Sequence, residues 1–166
     1  MSFRQAIVAE IPRLRRYARA LTGDASRADD LVQDTLERAL GKWRLWRPGN
    51  LRAWLFTLMH NIFVNQLQES VLVISLDGDT HLDVPVRPRQ QDNLELRDLD
   101  RALARLSPEQ REVLLLVGLE ELSYEDTAHV IGVPVGTVMS RLARARDKLR
   151  LLLAGDERAL HLKVVK

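Results

Sequence analysis

The chain has 166 residues, enough for one ordinary domain or two small ones, and its 46% hydrophobic but only 5% aromatic content suits small helical bundles packed by Leu, Val and Ala. Its 25 Lys and Arg nearly cancel 23 Asp and Glu, leaving a net charge of +2, so the bulk charge names no partner and only its distribution informs. With no cysteine, disulfides and thiolate metal sites are excluded. His60, His81, His129 and His161 lie far apart without ligand spacing, and no nucleophile–base pair or phosphate-binding glycine loop is present. The expectation is a protein that is not an enzyme and needs no cofactor or metal. No apolar run approaches the roughly 20 residues that span a bilayer, and no cleavable leader opens the chain. A cytoplasmic protein without membrane insertion is therefore expected.

Ile7, Ile11, Leu14, Ala18 and Leu21 form a first helical stripe, closed by Gly23. Ser26 and Asp29 have capping-box spacing ahead of a second stripe, Leu31, Val32, Leu36, Ala39, Leu40 and Trp43. Arg47-Pro48-Gly49-Asn50 reads as a loop, with Asn50 the N-cap of a third helix bearing Leu51, Trp54, Leu55, Leu58, Met59 and Ile62. Three such stripes bury one another as a bundle over residues 1–68. Trp43 and Trp54 fall on these stripes and are expected in its core.

The helical period then fails. Residues 69–94 carry Gly78, Pro85 and Pro88 and the acids Asp77, Asp79 and Asp83, and read as a flexible linker with an adhesive apolar patch. Within it, Val71-Leu72-Val73-Ile74 has the composition of a short strand but nothing to pair with. Periodicity returns at Leu96, Leu99, Leu103 and Leu106. Ser107-Pro108-Glu109-Gln110 combines an N-cap hydroxyl, proline at the first helical position and glutamine at the third. Loss of that Ser107 cap is expected to cost about 1 kcal/mol.

Residues 122–150 are the most informative. Ser123 and Asp126 start a short helix with the stripe Tyr124, Thr127, Ala128 and Ile131, and Gly132 stops it. Val133-Pro134-Val135-Gly136 forms the turn, after which Val138, Leu142, Ala145, Leu149 and Leu152 mark a buried face. Thr137, Ser140, Arg141, Arg144 and Lys148 are left to point outward. A basic amphipathic helix by itself is commonly only a solvated face. Preceded by a capped helix, a glycine stop and a proline turn, it has the form of a helix-turn-helix that enters a DNA major groove. The reading is all-α: two small bundles, residues 1–68 and 95–153, joined by a flexible linker and followed by a tail, 154–166.

Two helical modules in this order resemble the extracytoplasmic-function (ECF) class of bacterial sigma factors. The resemblance rests on Arg15 to Leu40 and Leu51 to Asn61 in the first module. In the second it rests on Leu106 to Leu116, Leu122 to Val138 and Ser140 to Arg146. It implies a sigma region 2-like domain, a region 4-like helix-turn-helix domain, and the binding of RNA polymerase core and promoter DNA. Asp29, Asp30, Leu31, Gln33, Asp34 and Glu37 match the family's core-binding helix, where Asp30, Gln33, Asp34 and Glu37 follow i, i+3, i+4, i+7 on one stripe. Lys42 to Asn61 corresponds to the −10 melting segment, with Lys42, Arg44, Arg47 and Arg52 as cations and Asn61 as an amide edge. Trp46 is placed there either as packing or as a base contact. Thr137, Met139, Ser140, Arg141, Arg144, Arg146 and Lys148 correspond to the −35 reading segment.

The chain departs from the family after Asn61, where an acid and then a basic run are usual but Asn65, Gln68 and Glu69 stand. Met139 replaces a frequent lysine or arginine. The linker acids resemble the segment that the family threads through the polymerase cleft. The resemblance also implies an anti-sigma partner and a monomer when free. Two alternatives remain at this point: a sigma-like decoy that sequesters an anti-sigma protein, favoured by the two departures, and a helix-turn-helix repressor.

Overall fold

The computed structural model describes the backbone of residues 1–77 and 94–164, and the side chains of 1–73 and 96–155. Every regular element among the described residues is helical, and the chain divides into two compact units. Most of the expected linker, including Gly78, Asp79, His81, Asp83, Pro85 and Pro88, lies outside the described residues. No helix among those described is long and apolar enough to cross a membrane.

The first unit holds α1 (Phe3–Thr22), α2 (Ala25–Gly41) and α3 (Leu51–Asp77), each packing against the other two. Ser2 opens α1 with a reciprocal capping box, in which the Gln5 N–H donates to Ser2 Oγ and the Ser2 N–H to Gln5 Oε1. Gly23 ends α1 at φ +70°, a left-handed conformation that glycine adopts without a Cβ penalty. Ile7, Leu14, Ala18 and Leu21 are buried as expected, and Tyr17 joins them, edge-on to Phe56 of α3 with ring centroids 4.9 Å apart. The buried Thr35 hydroxyl donates to the Leu31 carbonyl at 2.7 Å, which satisfies it inside its own helix.

Several details differ from the sequence reading. The N-cap of α2 is Asp24, whose carboxylate accepts the Ser26 N–H at 3.2 Å. With Gly23 having turned the chain, the next extended residue is already in position to cap, which makes Ser26 helical. Trp43 is not in the core: α2 stops at Gly41, and a 3-10 helical turn over Trp43–Leu45 carries the ring off the stripe to 51% exposure. Leu40 is also exposed. The run Val71 to Ile74 is helical, because α3 continues to Asp77. No glycine or proline interrupts it before Gly78, so propagation of an existing helix outweighs the strand preference of three β-branched residues. Asn50 does cap α3, accepting the Ala53 N–H at 3.1 Å.

The second unit holds α4 (Leu94–Ala104), α5 (Pro108–Gly118), α6 (Tyr124–Ile131) and α7 (Val135–Val164), with α4 and α5 packed on α7. The Ser107/Gln110 capping box is formed in both directions. Ser123 Oγ accepts the Asp126 N–H at the start of α6, and Gly132 ends that helix at φ +70°. Helix α7 begins one turn earlier than expected. Val135 and Gly136 are helical, and the Pro134 carbonyl accepts from both Thr137 and Val138. It also runs on to Val164, where the sequence suggested a tail. Between α5 and α6, Glu121 takes φ +56° while the Leu122 N–H reaches back to the Leu116 carbonyl, a six-residue closure that ends α5.

Arg111 of α5 terminates α4 from outside. Its Nε donates to the Leu103 carbonyl at 2.8 Å, and its terminal nitrogen donates to Ala104 and Leu106, each at 3.1 Å. These are the carbonyls a helix end leaves without intrahelical partners. Burial pushes the guanidinium below its ordinary pKa, yet an arginine remains cationic at neutral pH. Arg111→Ala is expected to destabilise the second unit by about 1–3 kcal/mol, with Arg111→Lys recovering only part because an ammonium lacks the planar fork. Urea unfolding followed by circular dichroism measures both.

Candidate polymerase and promoter surfaces

Helix rotation decides which candidate residues act together, since successive side chains turn by about 100°. On α2 the core side is Ala28, Leu31, Val32, Thr35 and Ala39, all buried. Asp29, Asp30, Gln33, Asp34 and Glu37 are all exposed on the opposite side. They form one continuous acidic face, along which the Gln33 amide donates to Glu37 at 3.4 Å. Leu31 is fully buried and belongs to the packing beneath that face, not to the face itself.

The segment between α2 and α3 separates the expected cations into two kinds. Lys42, Arg44 and Arg47 are exposed. Arg52 instead forms a two-pronged ion pair with Glu10 of α1, at 3.1 and 3.4 Å, and so ties the start of α3 to α1. Trp46 is half-buried and packs on Phe3 with ring centroids 5.3 Å apart, while Phe3 lies 6.2 Å from Trp54. Trp46 is thus a packing residue. Trp43, expected inside, stands out beside Leu45, which is 72% exposed.

Asn61 is exposed on α3, diametrically across from the buried Leu55, Met59 and Ile62 side. Asn65 and Gln68, exposed one and two turns further on, share its face at i+4 and i+7. The sequence reading noted these two only as departures from a basic run. Their helical spacing from Asn61 was the signal that they form a neutral amide row in its place.

On α7, burial of Val138, Leu142 and Ala145 turns Thr137, Ser140, Arg141, Arg144 and Lys148 to one side. Ser140, Arg144 and Lys148 are exposed, and Thr137 and Arg141 half-buried. The Ser140 hydroxyl donates to the Thr137 carbonyl at 3.2 Å. Met139 and Arg146, although exposed, are not part of this face. Two residues from Arg141 and Arg144 respectively, they point roughly 160–200° away, across the buried stripe.

Known proteins match this arrangement module by module. Residues 7–60 match the family described as Sigma2 domain of PhyR, and residues 96–149 the family described as Sigma-70, region 4. The ECF RNA polymerase sigma factor EcfG of Rhodopseudomonas palustris is 44% identical over 157 residues, covering 93% of this chain and 87% of that protein. Among solved structures, the sigma factor RpoE of Bartonella quintana, in complex with the anti-sigma factor NepR, superposes with a TM-score of 0.81 at 39% identity, covering 91% of this chain and 96% of that one. The PhyRSL–NepR complex from Sphingomonas sp. Fr1 gives a TM-score of 0.66 at 29% identity, over 93% of this chain and 91% of that one. A relative so similar along nearly the whole of both chains, with two sigma modules in the same order, makes this protein a member of the ECF RNA polymerase sigma factors.

Proposed function

We propose that this ECF sigma factor docks on polymerase core through the acidic face of α2, engages the −10 region through the α2–α3 segment and the amide row of α3, and reads the −35 region with α7. The observation that carries this reading is the rotational setting of α7. Its aliphatic stripe is buried and its hydroxyls and guanidiniums face outward, as a recognition helix in a major groove requires. Met139 and Arg146, on a different side, approach a flanking strand or a protein neighbour instead of the base edges read by Arg141 and Arg144. Control by an anti-sigma factor is supported by the relative of known structure that is bound to one. A cytoplasmic location and a free monomer complete the proposal.

The decoy reading has one observation in its favour: the first module matches the Sigma2 domain of PhyR, a protein whose sigma-like part is known in complex with NepR. Run-off transcription with purified core and a promoter library separates the two. Specific transcripts that depend on this protein support the sigma factor, and core binding without initiation, or anti-sigma binding alone, supports the decoy.

Asp34→Arg combined with Gln33→Ala places a cation in the middle of the α2 face and is expected to abolish co-purification with core. Retention of core at the wild-type level would refute the assignment of this face. Arg144→Ala is expected to cost about 1–3 kcal/mol in promoter binding and to relax preference at one −35 position, measured by binding to a set of single-base promoter variants. An equal loss on every variant would make Arg144 a phosphate contact.

A further inference from the structure

The strongest feature left without a role is the lip formed by Lys42-Trp43-Arg44-Leu45. Trp43 and Leu45 are 51% and 72% exposed, though large apolar side chains seldom stand together in water without a partner. The lip is held rigidly. The Leu45 N–H donates to the Lys42 carbonyl at 2.8 Å and the Trp46 N–H to that of Trp43 at 3.3 Å, and Trp46 is itself anchored on Phe3. The Arg44 guanidinium lies 5.4 Å from the Trp43 ring centroid, which stiffens the indole and leaves room on its exposed surface for another flat group.

The chemistry around the lip selects the occupant. No Asp or Glu stands between Glu37 and Glu69. Among the described residues, Lys42, Arg44 and Arg47 have no carboxylate partner. The core of a protein-binding patch is depleted of charge, whereas here each apolar side chain alternates with a cation. An exposed aromatic flanked by cations is the arrangement that binds a single nucleic-acid strand, the ring stacking a base and the cations following its phosphates. An adjacent exposed leucine is the type of side chain that wedges open a base step.

We infer that Trp43 stacks an unpaired base at the edge of the opened promoter, with Leu45 against the last stacked pair and Lys42, Arg44 and Arg47 on the flanking phosphates. This assignment rests on the promoter-opening function proposed above and moves the aromatic role from Trp46 to Trp43.

The test uses holoenzyme reconstituted with core, on fork-junction promoter DNA carrying 2-aminopurine in its unpaired stretch. Trp43→Ala is expected to weaken fork capture roughly 5- to 150-fold, and Trp43→Phe, which keeps a ring, to retain most of it. Binding to core and to a duplex −35 fragment should stay at wild-type levels for both variants. The inference is overturned if Trp43→Ala captures the fork as the wild type does. It is equally overturned if the loss appears in core binding, which would make the lip a protein contact. Wild-type holoenzyme that captures no fork would sink the functional reading itself, a result distinct from any difference between variants.

Discussion

The burial of a narrow aliphatic stripe along each helix is the constraint on which the remaining features depend. A helix is free to rotate about its own axis until its apolar side chains find neighbours. Once Val138, Leu142 and Ala145 are buried, the azimuth of every other residue on α7 follows from the 3.6-residue period. The same holds for α2, where Leu31, Val32 and Ala39 turn five polar side chains outward as one face. No polar group directs this orientation. The surfaces that meet polymerase and DNA are by-products of packing, and a substitution that shifted a stripe by one residue would turn the functional face by a quarter of a revolution or more.

Arginines do two kinds of work in this protein, and composition does not tell them apart. Arg52 is clasped by Glu10 and joins two helices of the first unit. Arg111 closes the end of α4 by taking up three backbone carbonyls. Neither is available to a phosphate. Arg44, Arg47 and Arg144 are exposed, and these carry the electrostatic attraction to DNA. A net charge near neutrality therefore coexists with locally cationic surfaces, because acids are gathered on α2 and kept off the α2–α3 segment altogether.

Features set by short-range chemistry were legible in the sequence. The Ser107 box, the Asn50 cap and the glycine stops at 23 and 132 all depend on residues within a turn of one another, and each is present in the structure. So does the stripe of α7, whose period is unambiguous. What escaped reading depended on where one element hands over to the next. Trp43 fits the period of α2 perfectly, but the period has no force once the helix has ended two residues earlier. Asp24 outcompeted Ser26 because Gly23 had already set the chain direction. The valines of α3 look like a strand only when the helix running into them is ignored. Site residues followed the same rule: the rows on α2 and α7 were visible as spacing, whereas the partner of Arg52 lies on another helix and no local pattern points to it.

The amide row on α3 has a consequence for how the two modules respond to their medium. Asn61, Asn65 and Gln68 carry no charge, so contacts through them displace no counterions from DNA. The guanidiniums and ammonium of α7 do so wherever they meet phosphate. Rising ionic strength therefore loosens the −35 attachment more steeply than contacts made along α3, and the balance of promoter affinity shifts toward the upstream edge of the bubble as salt increases.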